Sequence, residues 1–364
     1  MKFRRNETYG NSAAEAWCLK FLASRRSDRF LLGRNKWSQS IAKIIDVAGI
    51  VDDFTQESHF QGIQIVKAEE LPESAMVVSC VHGHPNTAKN RLSVVGIQNI
   101  DLFSFARWSG IAMEPVFFWN DHAFEREYEE HSRSYSNLEK ILTDSESVQC
   151  LRNIINFRLS WDIAFLSGFP DRQDLQYFEP FLPRFQGLTF IDGGAFDGMS
   201  FCRFAKAFPA YHSIYAFEPI PKNVETLQTR AKDLRDVIII PKGLHSCDAT
   251  LRFSEDGISS HVSDSGDCSI QVTKIDSLKL WERGQPVFIK LDVEGEEKNA
   301  IEGATRTIRE SYPILAVCVY HKVDDLRVIP ETILGLRNDY RVFLRHYLEG
   351  PTETVMYFVP KSEA

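Results

Sequence analysis

Short apolar runs, separated by stretches whose apolar positions recur every three to four residues, alternate along most of the chain. In the C-terminal half the runs are LTFID (188–192), SIYAFE (213–218), VIIIP (237–241), VFIKLD (287–292) and ILAVCVY (314–320). Segments of helical pattern follow at least the first two, and IEGATRTIRE leads into the fifth. Strands spaced this way predict a parallel sheet with helical crossovers. Two further runs, YRVFLRHY and ETVMYFVP, flank LEGPT, a turn signal short enough for an antiparallel hairpin. The pattern over 176–364 therefore predicts a mostly parallel seven-stranded α/β sheet ending in an antiparallel hairpin.

The first third carries a similar alternation. RFLL (29–32) ends at Gly33 and precedes a helical stretch from Lys36 to Asp46. AGIVDDF (48–54), GIQIV (62–66) and AMVVSCV (75–81) follow, then a helix to Val95 and NIDLFSF (99–105). These predict a smaller Rossmann-like domain over 1–105. Residues 106–175 read as a helical connector, with Thr143 and Glu146 spaced as a capping box before ESVQCLRNIINFRLS. Its aromatics, among them Trp108, Phe117, Phe118, Trp119 and Trp161, read as packing residues.

Composition narrows the functional classes. At 364 residues, with 43% hydrophobic and 25% charged positions, the chain has the make-up of a soluble protein of two or three domains. No apolar run of about twenty residues appears, and MKFRRNETYG has no apolar segment behind its basic residues, so neither a membrane span nor a secretory signal is expected. The seven cysteines are scattered without a CxxC pair, which fits reduced core thiols and a cytoplasmic location. A formal charge of −8 disfavours nucleic acid and anionic membranes as partners.

The chemistry concentrates in FIDGGAFDG (190–198) and in AFEP (216–219), at the end of the next strand. A dinucleotide turn uses glycines to bring backbone N–H groups onto a pyrophosphate. Here Asp192 ends the strand and Asp197 sits inside the loop with Gly193, Gly194, Ala195 and Gly198. Two carboxylates there would repel a pyrophosphate and favour a cationic ligand without phosphate, and S-adenosylmethionine fits that description. Glu218 stands where an acid accepts both hydroxyls of a ribose, and Pro219 stops the strand.

These residues resemble the FkbM-type S-adenosylmethionine-dependent methyltransferases. The likeness is carried by YFEP (177–180), DGGAFDG (192–198), AFEPIPKN (216–223), IKLDVEGEE (289–297), YHKVDDLRVIP (320–330) and YRVFLRHY (340–347). It covers about residues 176–360. The resemblance implies O-methylation of a hydroxyl on a sugar, glycan or secondary metabolite; the residues alone do not separate oxygen from nitrogen.

In such a sheet the reaction takes place outside the carboxyl ends of the strands. The residues expected there are Asp192, Glu218, Gly243 to His245, Asp292 to Gly295 and Tyr320 to Lys322. Cofactor contacts are expected from Asp192 to Ala195, Asp197, Gly198, Glu218, Pro219, Gly243 and Asp292. Asp292 and Glu294 are candidates to orient the acceptor. His321 leads as general base because an imidazole titrates near neutrality, with His245 and His261 as competitors. Ser259 and Ser260 are candidates for adenine or substrate contacts. Glu296 and Glu297 read as acids in the first turn of a helix. No metal is expected: Cys80, His82 and His84 fall short of a four-ligand set, although Asp292 and Glu294 leave a metal-assisted mechanism open.

In the N-terminal domain, GRNKWS (33–38) keeps only the first glycine of a dinucleotide pattern, so that domain is expected to position substrate or a partner subunit. The hairpin edge and the aromatic connector leave surfaces on which a homo-oligomer could form. The competing readings are an NAD- or nucleotide-sugar-dependent oxidoreductase or epimerase, and a non-catalytic binding protein with a methyltransferase fold.

Overall fold

The computed structural model describes residues 11–119, 122–254, 261–262 and 268–361. The chain falls into two compact units. Unit 1 comprises 1–126, 152–171 and 348–352; unit 2 comprises 127–151, 172–347 and 353–364.

Unit 1 is built on a six-stranded sheet of β1 (Arg29–Leu32), β2 (Gly49–Val51), β3 (His59–Phe60), β4 (Ile63–Val66), β5 (Met76–Ser79) and β6 (Gln98–Asp101). The spatial order is β3-β4-β2-β1-β5-β6, with every pairing parallel except β3 against β4. The run NIDLFSF, read as one strand, divides at Asp101. Its carboxylate accepts the Ser104 N–H at 2.8 Å and caps the helix Leu102–Trp108, so the apolar residues beyond it pack as a helix face.

Unit 2 carries the expected seven-stranded sheet. Its strands are β7 (Thr189–Gly193), β8 (Ser213–Phe217) and β9 (Val237–Ile240), then β14 (Val287–Leu291), β15 (Ile314–Cys318), β16 (Tyr340–His346) and β17 (Thr354–Pro360). They lie in the order β16-β17-β15-β14-β7-β8-β9, with β17 antiparallel to both neighbours. β7, β14 and β15 are buried along their whole length, as strands covered by helices must be. Phe178, Phe190, Phe204, Phe208 and Phe288 pack as one aromatic cluster on the sheet.

Between β9 and β14 the chain makes a second sheet that the apolar pattern did not announce. β10 (Gly243–Leu244), β11 (Ala249–Ser254), β12 (His261–Val262) and β13 (Cys268–Thr273) lie in the order β10-β13-β11-β12. Ser259 and Ser260 lie outside the described residues, as does the side chain of His261.

The helix Ser145–Ser160 is capped by Asp144, which accepts the Ser147 N–H at 2.8 Å. Thr143, expected as the cap, instead donates its N–H to the Val342 carbonyl at 2.8 Å. Among the described residues, no helix is long and apolar enough to cross a membrane.

Candidate active site

In unit 2 the chain builds β7, β8 and β9 outward in one direction, then returns to add β14 and β15 on the other side of β7. The carboxyl ends of β7 and β14 are therefore the point where the order reverses, the place where open α/β sheets bind ligands. The glycine turn leaves β7 there. Gly194 has φ +73°, and a Cβ on it would lie 1.9 Å from the Asp292 carbonyl oxygen. Only glycine lets the turn cross β14 so closely. Phe196, also left-handed at φ +47°, leaves its ring 65% exposed at the rim.

The turn is closed from within. The N–H groups of Gly194 and Ala195 donate to the Phe217 carbonyl at 3.1 and 3.0 Å. Phe196 N–H donates to Glu218 Oε2 at 3.0 Å, and Gly198 N–H to the Ala195 carbonyl at 2.8 Å. Asp192 is fully buried, with Oδ1 at 3.2 Å from Lys290 Nζ and Oδ2 accepting from the Ser200 hydroxyl. Lys290 Nζ also donates to the carbonyls of Gly193 and Gly194, at 3.0 and 2.7 Å. Burial favours its neutral amine, but Asp192 and Asp292 outweigh that and keep it an ammonium. Asp192 thus braces the turn from beneath. Asp197 accepts the Met199 N–H at 3.0 Å and pairs with Arg230 at 3.2 Å. Both loop carboxylates are neutralised by cations, so their charge is not what selects the ligand.

Glu218 is buried at the end of β8. Besides Phe196 it binds the Ile220 N–H at 2.9 Å and the Asn223 amide at 3.3 Å, and burial raises its carboxyl. Pro219 and Gly243 lie together, with Pro219 Cγ 3.8 Å from where a Gly243 Cβ would be.

Beyond β14 and β15 the ionisable groups crowd. Asp292 Oδ2 accepts the Tyr177 hydroxyl at 2.8 Å and Oδ1 that of Tyr320 at 3.2 Å. His321 Nδ1 is 2.9 Å from Glu297 Oε1, while Nε2 lies 3.6 Å from Asp292 Oδ1 and 3.5 Å from Glu294 Oε2. Burial pulls the imidazole down, but Glu297, Asp292 and Glu294 override it and raise it to about 10. Burial also pushes the Asp292 carboxyl up, yet Lys290 and His321 hold it below its ordinary value. Glu294, left-handed at φ +54°, is pushed up to about 7 by burial and by Asp292. Glu353, held by the Gln176 amide, is raised to about 7 by burial and then by Asp292.

His321, Asp292 and Glu294 thus come together as expected from their strand ends. His245 sits apart with Glu296, 3.6 Å away. Glu297 is fully buried against His321, a role the helix-charge reading missed. Lys290, Tyr177, Gln176 and Glu353 were also missed. Lys290 and Tyr177 stood inside quoted motifs, whereas nothing in the sequence marks Glu353. Among the described residues, Asp292, Glu297 and His321 bring metal-ligating atoms within 4.8 Å of one another.

A glycine turn at the sheet's reversal point, an acid at the end of the neighbouring strand and an antiparallel terminal hairpin define a methyltransferase-type α/β domain. Residues 192–342 match the model of the methyltransferase FkbM domain, which supports a methyltransferase. Among solved structures, the chain is similar to methyltransferase FkbM from Methylobacillus flagellatus KT. The two are 22% identical over 95% of this chain and 97% of that one, at a TM-score of 0.74. Much slighter likenesses include precorrin-6y C5,15-methyltransferase from Geobacter metallireducens GS-15, 16% identical over 49% of this chain and 83% of that one, at a TM-score of 0.30. Another is Aeropyrum pernix fibrillarin, 14% identical over 49% and 69%, at a TM-score of 0.31. No curated protein matches the chain.

Proposed function

We propose that unit 2 binds S-adenosylmethionine and transfers its methyl group to a hydroxyl of a small-molecule or glycan acceptor. The observation that carries this reading is the closed glycine turn. A pyrophosphate cradle needs free N–H groups aimed at the ligand, and those of Gly194, Ala195, Phe196 and Gly198 are already engaged within the protein. What the turn offers instead is close backbone approach beside the carboxylates of Glu218 and Asp292, suited to a ribose and a sulfonium. Gly193, Gly194, Ala195, Glu218, Pro219, Gly243 and Asp292 form the cofactor side in this reading. Asp192 and Lys290 act by holding the turn.

The acceptor side is the cluster of Asp292, Glu294, Glu297 and His321. In the transfer, an acceptor oxygen lone pair forms the new O–C bond as the C–S bond breaks and its electron pair returns to sulfur. The sulfonium becomes a neutral thioether, and the hydroxyl proton passes to a carboxylate of the cluster. Holding the two reactants in line supplies about 7–11 kcal/mol of the barrier reduction. His321 already carries its second proton in this arrangement, so it positions the carboxylates and is not the proton acceptor.

Calorimetric titration of the whole chain with S-adenosylhomocysteine tests the reading. Saturable binding with a Kd on the order of micromolar is expected, weakened at least about tenfold in Glu218→Gln through the lost ribose contact. No saturation, or saturation by NAD in its place, overturns it.

A further inference from the structure

We infer that the loop between β10 and β11 carries a thiol-exchange site that reacts with a low-molecular-weight disulfide. Cys247 is its nucleophile, His245 the base, and Glu296 the group that orients the imidazole. None of the three takes part in the methyl-transfer reading, and the inference does not depend on it.

Cys247 Sγ lies 3.5 Å from His245 Nδ1, within reach of a sulfhydryl hydrogen bond. The Ser246 hydroxyl shares that nitrogen at 3.3 Å. The opposite ring nitrogen, Nε2, faces Glu296 Oε2 at 3.6 Å. An ionised carboxylate only accepts, so this contact favours the tautomer with its proton on Nε2 and leaves Nδ1 to take one from the thiol. A nucleophile, a base within its reach and a third group behind the base form the arrangement that activates a weak nucleophile.

The base and its orienting acid are held in place. His245 N–H donates to the Thr273 carbonyl at 2.9 Å. A Cβ on Gly303 would lie 2.1 Å from the His245 carbonyl oxygen, so the absence of one allows that segment to close on the loop. Glu296 Oε2 also accepts the Asn299 amide, and Oε1 lies 3.6 Å from Lys322 Nζ. Beyond the thiol, Asp248 accepts the Thr273 hydroxyl at 2.6 Å and ties the far end of the loop to β13.

Exposure separates Cys247 from the other thiols. Among the described cysteines it is the exposed one, whereas Cys18, Cys80, Cys150 and Cys318 are buried and Cys202 is half-buried. Burial pushes the Cys18 and Cys150 thiols up to about 12 and raises those of Cys80, Cys202 and Cys318, so these yield little thiolate. Cys247 meets a disulfide from solution. Its S–H proton passes to His245 Nδ1 as its sulfur attacks one sulfur of that disulfide. A new S–S bond forms, the old one breaks, and the electron pair of the broken bond leaves on the departing sulfur, which recovers the proton as a thiol. Cys247 is oxidised to a mixed disulfide and the departing half is reduced.

The test is incubation of the reduced whole chain with oxidised glutathione near neutral pH, with the mixed disulfide at each cysteine followed by mass spectrometry. Cys247 is expected to react ahead of every other described thiol. Its rate should fall at least about tenfold in His245→Gln and in Glu296→Gln. Glu296→Asp, which keeps the charge, should react closer to the wild type than Glu296→Gln. The buried thiols are the folding control: their continued protection shows that a slower variant is still folded, and where one variant exposes them the other carries the comparison. A Cys247 that reacts no faster than Cys202, or at an unchanged rate in a folded His245→Gln or Glu296→Gln chain, overturns the inference.

Discussion

At the scale of single residues, Lys290 decides whether the glycine turn holds its shape. Its ammonium is buried, faces Asp192 at 3.2 Å and closes two carbonyls of the turn. Removing one member of a buried ion pair leaves the other charge unpaired, at a cost of about 3–5 kcal/mol. Lys290→Met is therefore expected to destabilise unit 2 by about that amount, while Lys290→Met with Asp192→Asn recovers much of it. Denaturant unfolding of the two single variants and the double variant measures the coupling. Additive losses would mean that Asp192 and Lys290 do not act as a pair. Legibility divides along the same line. The sequence placed Asp192 at the strand end, because the end of an apolar run is a local property. That Asp192 and Lys290 neutralise each other depends on β7 and β14 being neighbours, with Asp192 in register with Lys290 across 98 positions of sequence. The repulsion argument against a pyrophosphate therefore fell, and the engaged N–H groups of the turn took its place.

At the scale of elements, the start of the helix Ser145–Ser160 is tied to the terminal hairpin. Arg345 on β16 donates to both oxygens of Asp144, at 3.2 and 2.7 Å, and to the Ser147 hydroxyl at 2.8 Å. Burial raises the Asp144 carboxyl, but Arg345 and Ser147 outweigh it and lower it from 3.8 to about 2. A carboxyl depressed in the folded state contributes stability that is present above its unfolded pKa and is lost as pH falls through the folded one. The contribution should therefore be complete above about pH 4 and vanish towards about pH 2. Asp144→Asn should be less stable than the wild type near pH 6, with the gap closing through that window in acid-unfolding curves. A gap that stays constant with pH would mean that the cap and not the charge carries the effect. The sequence marked this helix start correctly but one residue early. Thr143 and Asp144 are both good caps, and only the β16 partner decides between them.

At the scale of the whole molecule, the seven-stranded sheet was legible because parallel strands buried on both faces leave unbroken apolar runs. The second sheet was not, since β11 and β13 mix polar and apolar residues and β10 and β12 are only two residues long. The ion cluster was hidden for a related reason: Asp292 and His321 follow β14 and β15, Glu353 precedes β17, and Glu297 opens a helix. Unit 1 offers the complementary case. Its own reversal point lies at the carboxyl ends of β1 and β5, where a dinucleotide would bind. That place is filled by side chains of the chain itself. Arg34 pairs with Asp52 and Glu57, each at 2.7 Å, so the acid in the ribose position is engaged. The Asn35 amide binds the Cys80 carbonyl at 2.8 Å, and Trp37 stacks on His82 with ring centroids 4.5 Å apart. The whole chain is therefore expected to show no saturable heat with NAD at concentrations that saturate S-adenosylhomocysteine. Arg34→Ala, which frees Asp52 without touching unit 2, should leave S-adenosylhomocysteine binding unchanged and still bring no NAD affinity, because Asn35 and Trp37 continue to occupy the turn. Saturation by NAD in either protein would return a dinucleotide to unit 1 and make the eroded glycine pattern a working variant of the fold.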